Sequence, residues 1–382
     1  MPEGIAQLAD ELRRLLGRRY PGFVYRTKAE IADREVPVFV FHRIVEDRFE
    51  QTLRYLAENG YNTISCDEYV DWLEGHGSIP PRSVLLAIDD GHESIWQYGY
   101  PLLERYDCRA TVFLVAGYVR DRPRPLPHGR EPGYYNLVYW EEIEEMQSSE
   151  RLDFQSHGLF HHQVFDEPEL LGFFDSPRGA SFFDWVLPQG FETHVRNGSI
   201  HDFAGLPIFR HRSYFESRRR FLDDEELRES MIERVRELGG RPFLQSDPAA
   251  QDVLRRVYEE LSRGRERGRM QPAEETLAEI RRDLEHSREL IEERLHKPVR
   301  HFCFPYSLYH EQTLEWVQAA GYRSAFIGTH PSKSSNLRGG NSYTTVRLNN
   351  DYLRCLPGRG RRGLTAVLAD KVRHRLAGSK VP

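Results

Sequence analysis

The sequence of 382 residues predicts an α/β protein built on a distorted (β/α) barrel. Short apolar runs recur along the chain, and segments with helical spacing of apolar residues separate them. The predicted strands lie near residues 38–42, 84–88, 110–115, 152–156, 300–304 and 323–327. Between the first two runs, residues 49–56 have helical periodicity and end at Asn59-Gly60, which is typical of a helix C-terminus. Strands alternating with helices favour a parallel sheet that curves into a barrel.

The apolar run at residues 84–88 ends in two adjacent carboxylates, Asp89 and Asp90, followed by Gly91. Such a run indicates a buried parallel strand whose carboxyl end lies at the edge where α/β folds place active sites. Adjacent strand residues point to opposite sides unless the chain turns, and Gly91 permits a turn. One carboxylate could then bind a metal ion while the other accepts a proton. A turn with a helix cap is the alternative interpretation of this tripeptide.

Two histidines, His157 and His161, follow the fourth predicted strand at a spacing of four residues. This spacing predicts two imidazoles on one face of a helical turn, where both reach one ion. Two histidines and a carboxylate leave coordination positions open, as a catalytic metal site requires. A chance pair on a surface helix is the alternative.

The sequence Ala-Ile-Asp-Asp-Gly at residues 87–91, the His157/His161 pair and Cys-Phe-Pro-Tyr at residues 303–306 occur in a fixed order. In this respect the chain resembles the polysaccharide deacetylases of the nodulation-protein-B homology class, carbohydrate esterase family four. Residues 36–43 are similar to the opening strand of the exopolysaccharide deacetylase subgroup. The resemblance covers residues 36–165 and 285–350, and it implies a deacetylase barrel with a large insertion after the second motif.

The resemblance implies that Asp90, His157 and His161 bind one divalent metal ion and that Asp89 is the general base. Zinc is the first expectation for the metal, with cobalt, nickel, manganese and iron as alternatives. The implied reaction is hydrolytic removal of an acetyl group, in which the metal activates water and polarises the acyl carbonyl.

The third motif carries the remaining implied roles and the main departure from the family. The resemblance places Pro305 and Tyr306 at the substrate, with a backbone N–H near Tyr306 as an oxyanion donor. Cys303 stands where the family has an arginine that orients the base. The family's late histidine, its general acid, has no match after Tyr306, and His42 on the opening strand is the candidate for that role, with a structural histidine as the alternative.

The domain organisation predicted from the sequence has four parts: an N-terminal helical extension at 1–35, a barrel at 36–162 and 276–350, an insertion at 163–275 and a basic C-terminal tail at 351–382. The insertion is expected to close over the site as a lid, or else to pack against the barrel and stabilise it. Its Arg210 and Arg212 could bind a substrate anion, although a solvated charged face is also compatible. The tail is expected to be solvated, with an amphipathic helix on an anionic membrane surface as the alternative.

Composition narrows the class of function. A net charge of -6 argues against nucleic-acid binding, and four widely spaced cysteines predict reduced core residues. The N-terminus has no apolar stretch of signal-peptide length, which predicts a cytoplasmic location. Together with this location, the resemblance implies that the substrate is an intracellular acetylated saccharide or sugar-bearing small molecule. The alternatives are a metal-dependent hydrolase of a non-sugar amide or cyclic amide, and a catalytically silent sugar-binding protein. The sequence makes no prediction about the oligomeric state.

Overall fold

The computed structural model describes residues 11–376 apart from 27, 32–33, 122–135, 176–185, 187, 189, 192–202 and 331. Residues 182–185 of the insertion, which include three aromatic residues, therefore lie outside the described residues. The strands are Val38–Phe41 (β1), Asn62–Thr63 (β2), Ser83–Asp90 (β3), Ala110–Leu114 (β4), Leu152–Ser156 (β5), Gln163–Phe173 (β6), Pro207–Ser213 (β7), Phe221–Asp223 (β8), Gly268–Met270 (β9), His301–Cys303 (β10), Ser324–Ile327 (β11), Thr345–Val346 (β12) and Leu348–Asn349 (β13).

The central sheet confirms the predicted barrel. Its strands run in the order β12-β11-β10-β5-β4-β3-β1-β13, with β2 paired to β3, and these pairings are all parallel. The two strands at the ends of this order, β12 and β13, are consecutive in the chain with only Arg347 between them. One short segment therefore pairs with β11 on one side and with β1 on the other, and it closes the sheet.

Helices flank the barrel strands and also form part of the insertion. They are residues 11–16 (α1), Gly22–Tyr25 (α2), Glu46–Glu58 (α3), Cys66–Leu73 (α4), Tyr100–Arg105 (α5), Trp140–Ser148 (α6), Glu225–Glu237 (α7), Arg241–Ser246 (α8), Ala250–Leu261 (α9), Ala273–Leu295 (α10), Glu311–Ala319 (α11) and Leu364–Leu376 (α12). Because both faces of the sheet are covered, every residue of β3 is buried. At the start of α4, Ser65 and Glu68 form a reciprocal capping box, which satisfies two backbone N–H groups.

The insertion is a folded unit of strands and helices. It contains the antiparallel pairs β6–β7 and β8–β9 and the helices α7, α8 and α9. Phe215 of the insertion packs edge-on against Phe302 and Phe304 of the barrel, with ring centroids 5.3 Å and 6.0 Å away. The hydroxyl of Thr313 on α11 also donates a hydrogen bond to the Phe215 carbonyl at 2.9 Å. This part of the insertion is thus packed on the barrel wall.

Residues 364–376 form the helix α12. For these residues the expectation of a solvated tail is wrong. Val367 and Lys371 of this helix are buried, and Lys371 forms ion pairs with Glu11 and Asp351. The helix is ordered because these contacts tie it to the N-terminal segment and to the loop after β13. Within the described residues, no helix combines the length and the apolar composition needed to cross a membrane.

Candidate metal centre and active site

The carboxyl end of β3 brings both aspartates into the barrel mouth. The backbone turns at Asp90 itself, whose φ is 73°, one residue earlier than the turn expected at Gly91. This left-handed conformation removes the alternation of an extended strand, so the two carboxylates can face a common centre. Gly91 continues the turn at φ 86°, and a Cβ there would lie 2.8 Å from Leu114. Asp89 and Asp90 are 1% and 4% exposed.

The two histidines of the second motif follow β5 in a loop, and the predicted helical turn is wrong. Gly158 has a φ of 85°, which redirects the chain directly after His157. The loop nevertheless brings the two imidazoles together, with ring centroids 5.2 Å apart. The His157 Nε2 and His161 Nε2 atoms lie 3.5 Å and 3.9 Å from Oδ1 of Asp90.

These three residues fit a divalent metal ion. The ligand atoms of Asp90, His157 and His161 lie within 4.8 Å of one another, and all three residues are buried. The His157 Nδ1–H donates a hydrogen bond of 2.7 Å to the Cys303 carbonyl, so the lone pair of this imidazole is on Nε2, which faces Asp90. Such a hydrogen bond from the far ring nitrogen is typical of metal-binding histidines. Burial lowers the pKa of His157 and lowers that of His161 to about 4, which keeps both imidazoles neutral.

Asp89 is held by a residue that the sequence reasoning missed, Arg347. The Arg347 Nη1 atom lies 2.7 Å and 2.8 Å from the two Asp89 carboxylate oxygens, and both side chains are buried. Burial alone would raise the pKa of Asp89, but the charge of Arg347 and the nearby His157 and His42 hold it at about 2. The arginine absent from position 303 is thus replaced in space by one from the segment that closes the barrel.

Cys303 also lies beside Asp89. Its Sγ atom is 3.7 Å and 3.8 Å from the carboxylate oxygens, and the residue is fully buried. Burial raises the pKa of its thiol. All four cysteines are free and buried, as expected for reduced core residues.

His42 lies at the end of β1, next to the strand that carries the aspartates. Its Nε2 atom is 3.9 Å from Oδ2 of Asp89, and its side chain is 51% exposed. An imidazole at the rim of the site and partly in water can exchange protons with solvent and with a bound substrate. The structure therefore places His42 beside Asp89 at the rim of the site, and its role as general acid stays a prediction.

The third motif forms a tight turn beside the histidines. Tyr306 and Ser307 adopt φ values of 56° and 58°, and the Tyr306 ring centroid lies 4.2 Å from that of His161. Pro305 is buried at the start of this turn. Two consecutive left-handed residues turn the backbone sharply at the site. The oxyanion role of the Tyr306 backbone stays a prediction.

Arg210 and Arg212 lie on β7 of the insertion, where they pair with carboxylates. Arg210 forms ion pairs with Glu167 and Glu169, and Arg212 pairs with the buried Asp166. A substrate anion would have to compete with these carboxylates. The structure thus gives both guanidinium groups local partners, and binding of substrate by them remains a prediction.

Comparison with known proteins agrees with this geometry. The family model for polysaccharide deacetylases matches residues 76–171 and 268–325, which contain both aspartates, both histidines and the Pro305–Tyr306 turn. The protein YxkH of Bacillus subtilis is 24% identical over 138 residues, which are 34% of this chain and 44% of that protein. A poly-beta-1,6-N-acetyl-D-glucosamine N-deacetylase of Staphylococcus aureus is 25% identical over 118 residues, which are 30% of this chain and 37% of that protein. The chain therefore matches less than half the length of these relatives.

The fold has a counterpart among solved structures. The deacetylase domain of BpsB from Bordetella bronchiseptica superposes with a TM-score of 0.52 at 17% identity, covering 84% of this chain and 97% of that domain. At this identity the likeness concerns the fold alone. The family model matches the segments that carry all three motifs, so the chain is similar to the polysaccharide deacetylases in sequence as well as in fold.

Proposed function

We propose that the protein is a metal-dependent hydrolase that removes an acetyl group from an N- or O-acetylated saccharide or sugar-bearing metabolite. The observation that carries this proposal is the division of labour between two adjacent carboxylates. Asp90 lies with His157 and His161 in a buried group of metal-ligand type, and Asp89 lies beside it, bound to Arg347. A module that only binds sugar has no need for a base beside such a group.

Each step assigned to the chain uses an atom at the barrel mouth. A bound divalent ion, zinc first among the candidates, supplies Lewis acidity to water and to the acyl carbonyl. Asp89 accepts the proton of the attacking water, and Arg347 holds its carboxylate in one orientation. His42 gives a proton to the leaving nitrogen or oxygen as the acyl bond breaks. The backbone N–H near Tyr306 donates to the oxyanion.

Arg347 also bears on the silent-protein alternative. The lack of the family arginine at position 303 is an argument for a protein without activity. Because the guanidinium of Arg347 contacts both oxygens of Asp89, the base has a charged partner despite Cys303. This arrangement supports an active hydrolase over a binding module.

The test is acetate release from acetylated saccharides, first N-acetylglucosamine oligomers, because a relative carries the name of a poly-N-acetylglucosamine deacetylase. Release should stop after chelation and return when a divalent ion is added. Asp89→Asn should keep its metal and lose turnover by about two to four orders of magnitude, whereas Asp90→Asn should lose metal as well. Equal metal loss in the two variants would show that the carboxylate roles are divided wrongly. Release from non-sugar amides alone would favour the amide hydrolase alternative.

A further inference from the structure

The thiol of Cys303 has no place in the proposed reaction, although it borders the reacting centre. Its Sγ atom lies 3.7 Å from Oδ2 of Asp89, and the side chain is fully buried. Thiolate sulfur is a strong ligand for soft cations. A thiol in this position therefore raises the question of which ions the centre accepts.

Cys303, Asp89 and His157 form a second group of metal-ligand type. Their ligand atoms lie within 4.8 Å of one another, and all three residues are buried. The His157 Nε2 atom is 3.9 Å from Oδ2 of Asp89, and its other ring nitrogen is bound to the Cys303 carbonyl. A tetrahedral ion with bonds of roughly 2.0 to 2.3 Å needs ligand atoms about 3.5 Å apart. The distances from Oδ2 of Asp89 to Cys303 Sγ and His157 Nε2, 3.7 Å and 3.9 Å, exceed this spacing by only a few tenths of an ångström.

We propose that Asp89, His157 and Cys303 form a second cation site that is selective for ions more thiophilic than zinc, such as cadmium. It shares His157 with the group of Asp90, His157 and His161. The Nε2 atom of His157 can bind only one ion at a time. The two sites therefore exclude each other and together hold a single ion. The thiol proton is released to solvent when the sulfur–metal bond forms.

Arg347 explains why this site would discriminate among ions. Its guanidinium lies 2.7 Å from Asp89 and repels any cation that approaches the carboxylate from the second site. A hard ion gains little from sulfur and therefore stays with Asp90 and the two histidines. A soft ion gains a strong bond to the thiolate, which can offset the repulsion.

Occupation of the second site has a functional consequence, which rests on the proposed function. An ion there binds the base Asp89 and removes His157 from the catalytic group. Excess thiophilic ion should therefore inhibit hydrolysis, and Cys303 should determine the sensitivity. Binding itself can be measured without any substrate.

Cadmium is the probe, because cadmium–thiolate bonds give an ultraviolet charge-transfer band. Wild-type protein from which a chelator has removed all metal should bind one Cd²⁺ per chain and then show this band. Manganese should give no band. The band should disappear in Cys303→Ser and Cys303→Ala and persist in Cys66→Ser, a buried cysteine of the same core cluster. It should persist in His161→Ala, which damages only the catalytic group, and it should disappear in His157→Ala.

The absence of the band in wild-type protein would overturn the proposal without recourse to any variant. A band that survives in folded Cys303→Ser, or that disappears in His161→Ala, would also overturn it. Half-inhibition by Cd²⁺ should need at least about tenfold more ion in Cys303→Ser than in wild type, each relative to its own uninhibited rate. If the cadmium band appears but acetate is not released under any condition, the proposed function is contradicted and the second site is still supported.

Discussion

Asp89 and Asp90 are neighbours in the chain, yet their surroundings differ. Asp89 faces the guanidinium of Arg347, whereas Asp90 faces two neutral imidazoles. Opposite charge at 2.7 Å keeps Asp89 ionised despite its burial, so it is available to accept a proton. Neutral imidazoles beside Asp90 suit a shared cation. The difference between two adjacent carboxylates therefore comes from partners that are distant in sequence.

Arg347→Met tests whether this arginine orients Asp89, the proposed base. The variant should retain its metal, because Arg347 is not in the ligand group, but turnover should fall about 10- to 100-fold, the usual effect of losing a supporting contact. Arg347→Lys should recover part of the rate, since it keeps the charge but has only one donor group. Arg323→Met is the matched control, because Arg323 lies just before β11 and pairs with Asp71 and Glu74 instead of Asp89. Full activity in Arg347→Met would contradict this role.

His42→Ala tests whether His42 is the general acid. A leaving amine must gain a proton as the tetrahedral intermediate collapses, and His42 is the imidazole beside Asp89 that is open to solvent. The variant should keep metal and substrate binding, lower the turnover number and lose the alkaline limb of the pH–rate profile. Unchanged turnover would assign the proton to another group, with His310 and His330 the next to replace.

At the scale of elements, strands were predictable and their long-range partners were not. The six predicted strands match β1, β3, β4, β5, β10 and β11, because an apolar run is a local signal in the sequence. The closing segment of β12 and β13 has two residues on each side of Arg347, which is too short for a recognisable pattern. The contact between Arg347 and Asp89 spans 258 positions, and a single sequence carries no trace of it.

The loop of the second motif shows a different limit of prediction from sequence. The spacing of His157 and His161 predicted a helical turn, but Gly158 has a positive φ and the loop packs against Phe215 of the insertion. Tertiary packing therefore overrides the local periodicity. The histidines still converge, because the loop leaves the strand end in the direction of Asp90.

Gly158→Ala tests the role of this loop. A Cβ there would lie 3.1 Å from the Phe215 ring, in a backbone conformation that costs about 1–2 kcal/mol for other residues. The variant should melt at a lower temperature and bind metal more weakly. Gly60→Ala is the control, because Gly60 has a φ of +67° with nothing within 4 Å of the added Cβ. If both variants lose the same stability and Gly158→Ala binds metal normally, crowding by Phe215 does not hold the loop.

At the scale of the whole molecule, barrel closure and site assembly depend on the same residues. The segment that joins the two ends of the sheet also delivers Arg347 to Asp89. The insertion packs Phe215 between the barrel wall and the histidine loop. The outer elements therefore support the site from two sides, and a lid function of the insertion stays a prediction.

Metal content of the purified protein tests the central claim most directly. Because Asp90, His157 and His161 are the proposed ligands, wild-type protein should hold one divalent ion per chain after reconstitution. With manganese, which the proposed second site is not expected to hold, folded His157→Ala and His161→Ala should bind little ion, whereas His310→Ala, altered outside this group, should match wild type. Full occupancy in both ligand variants, or no ion in the wild type, would contradict the account.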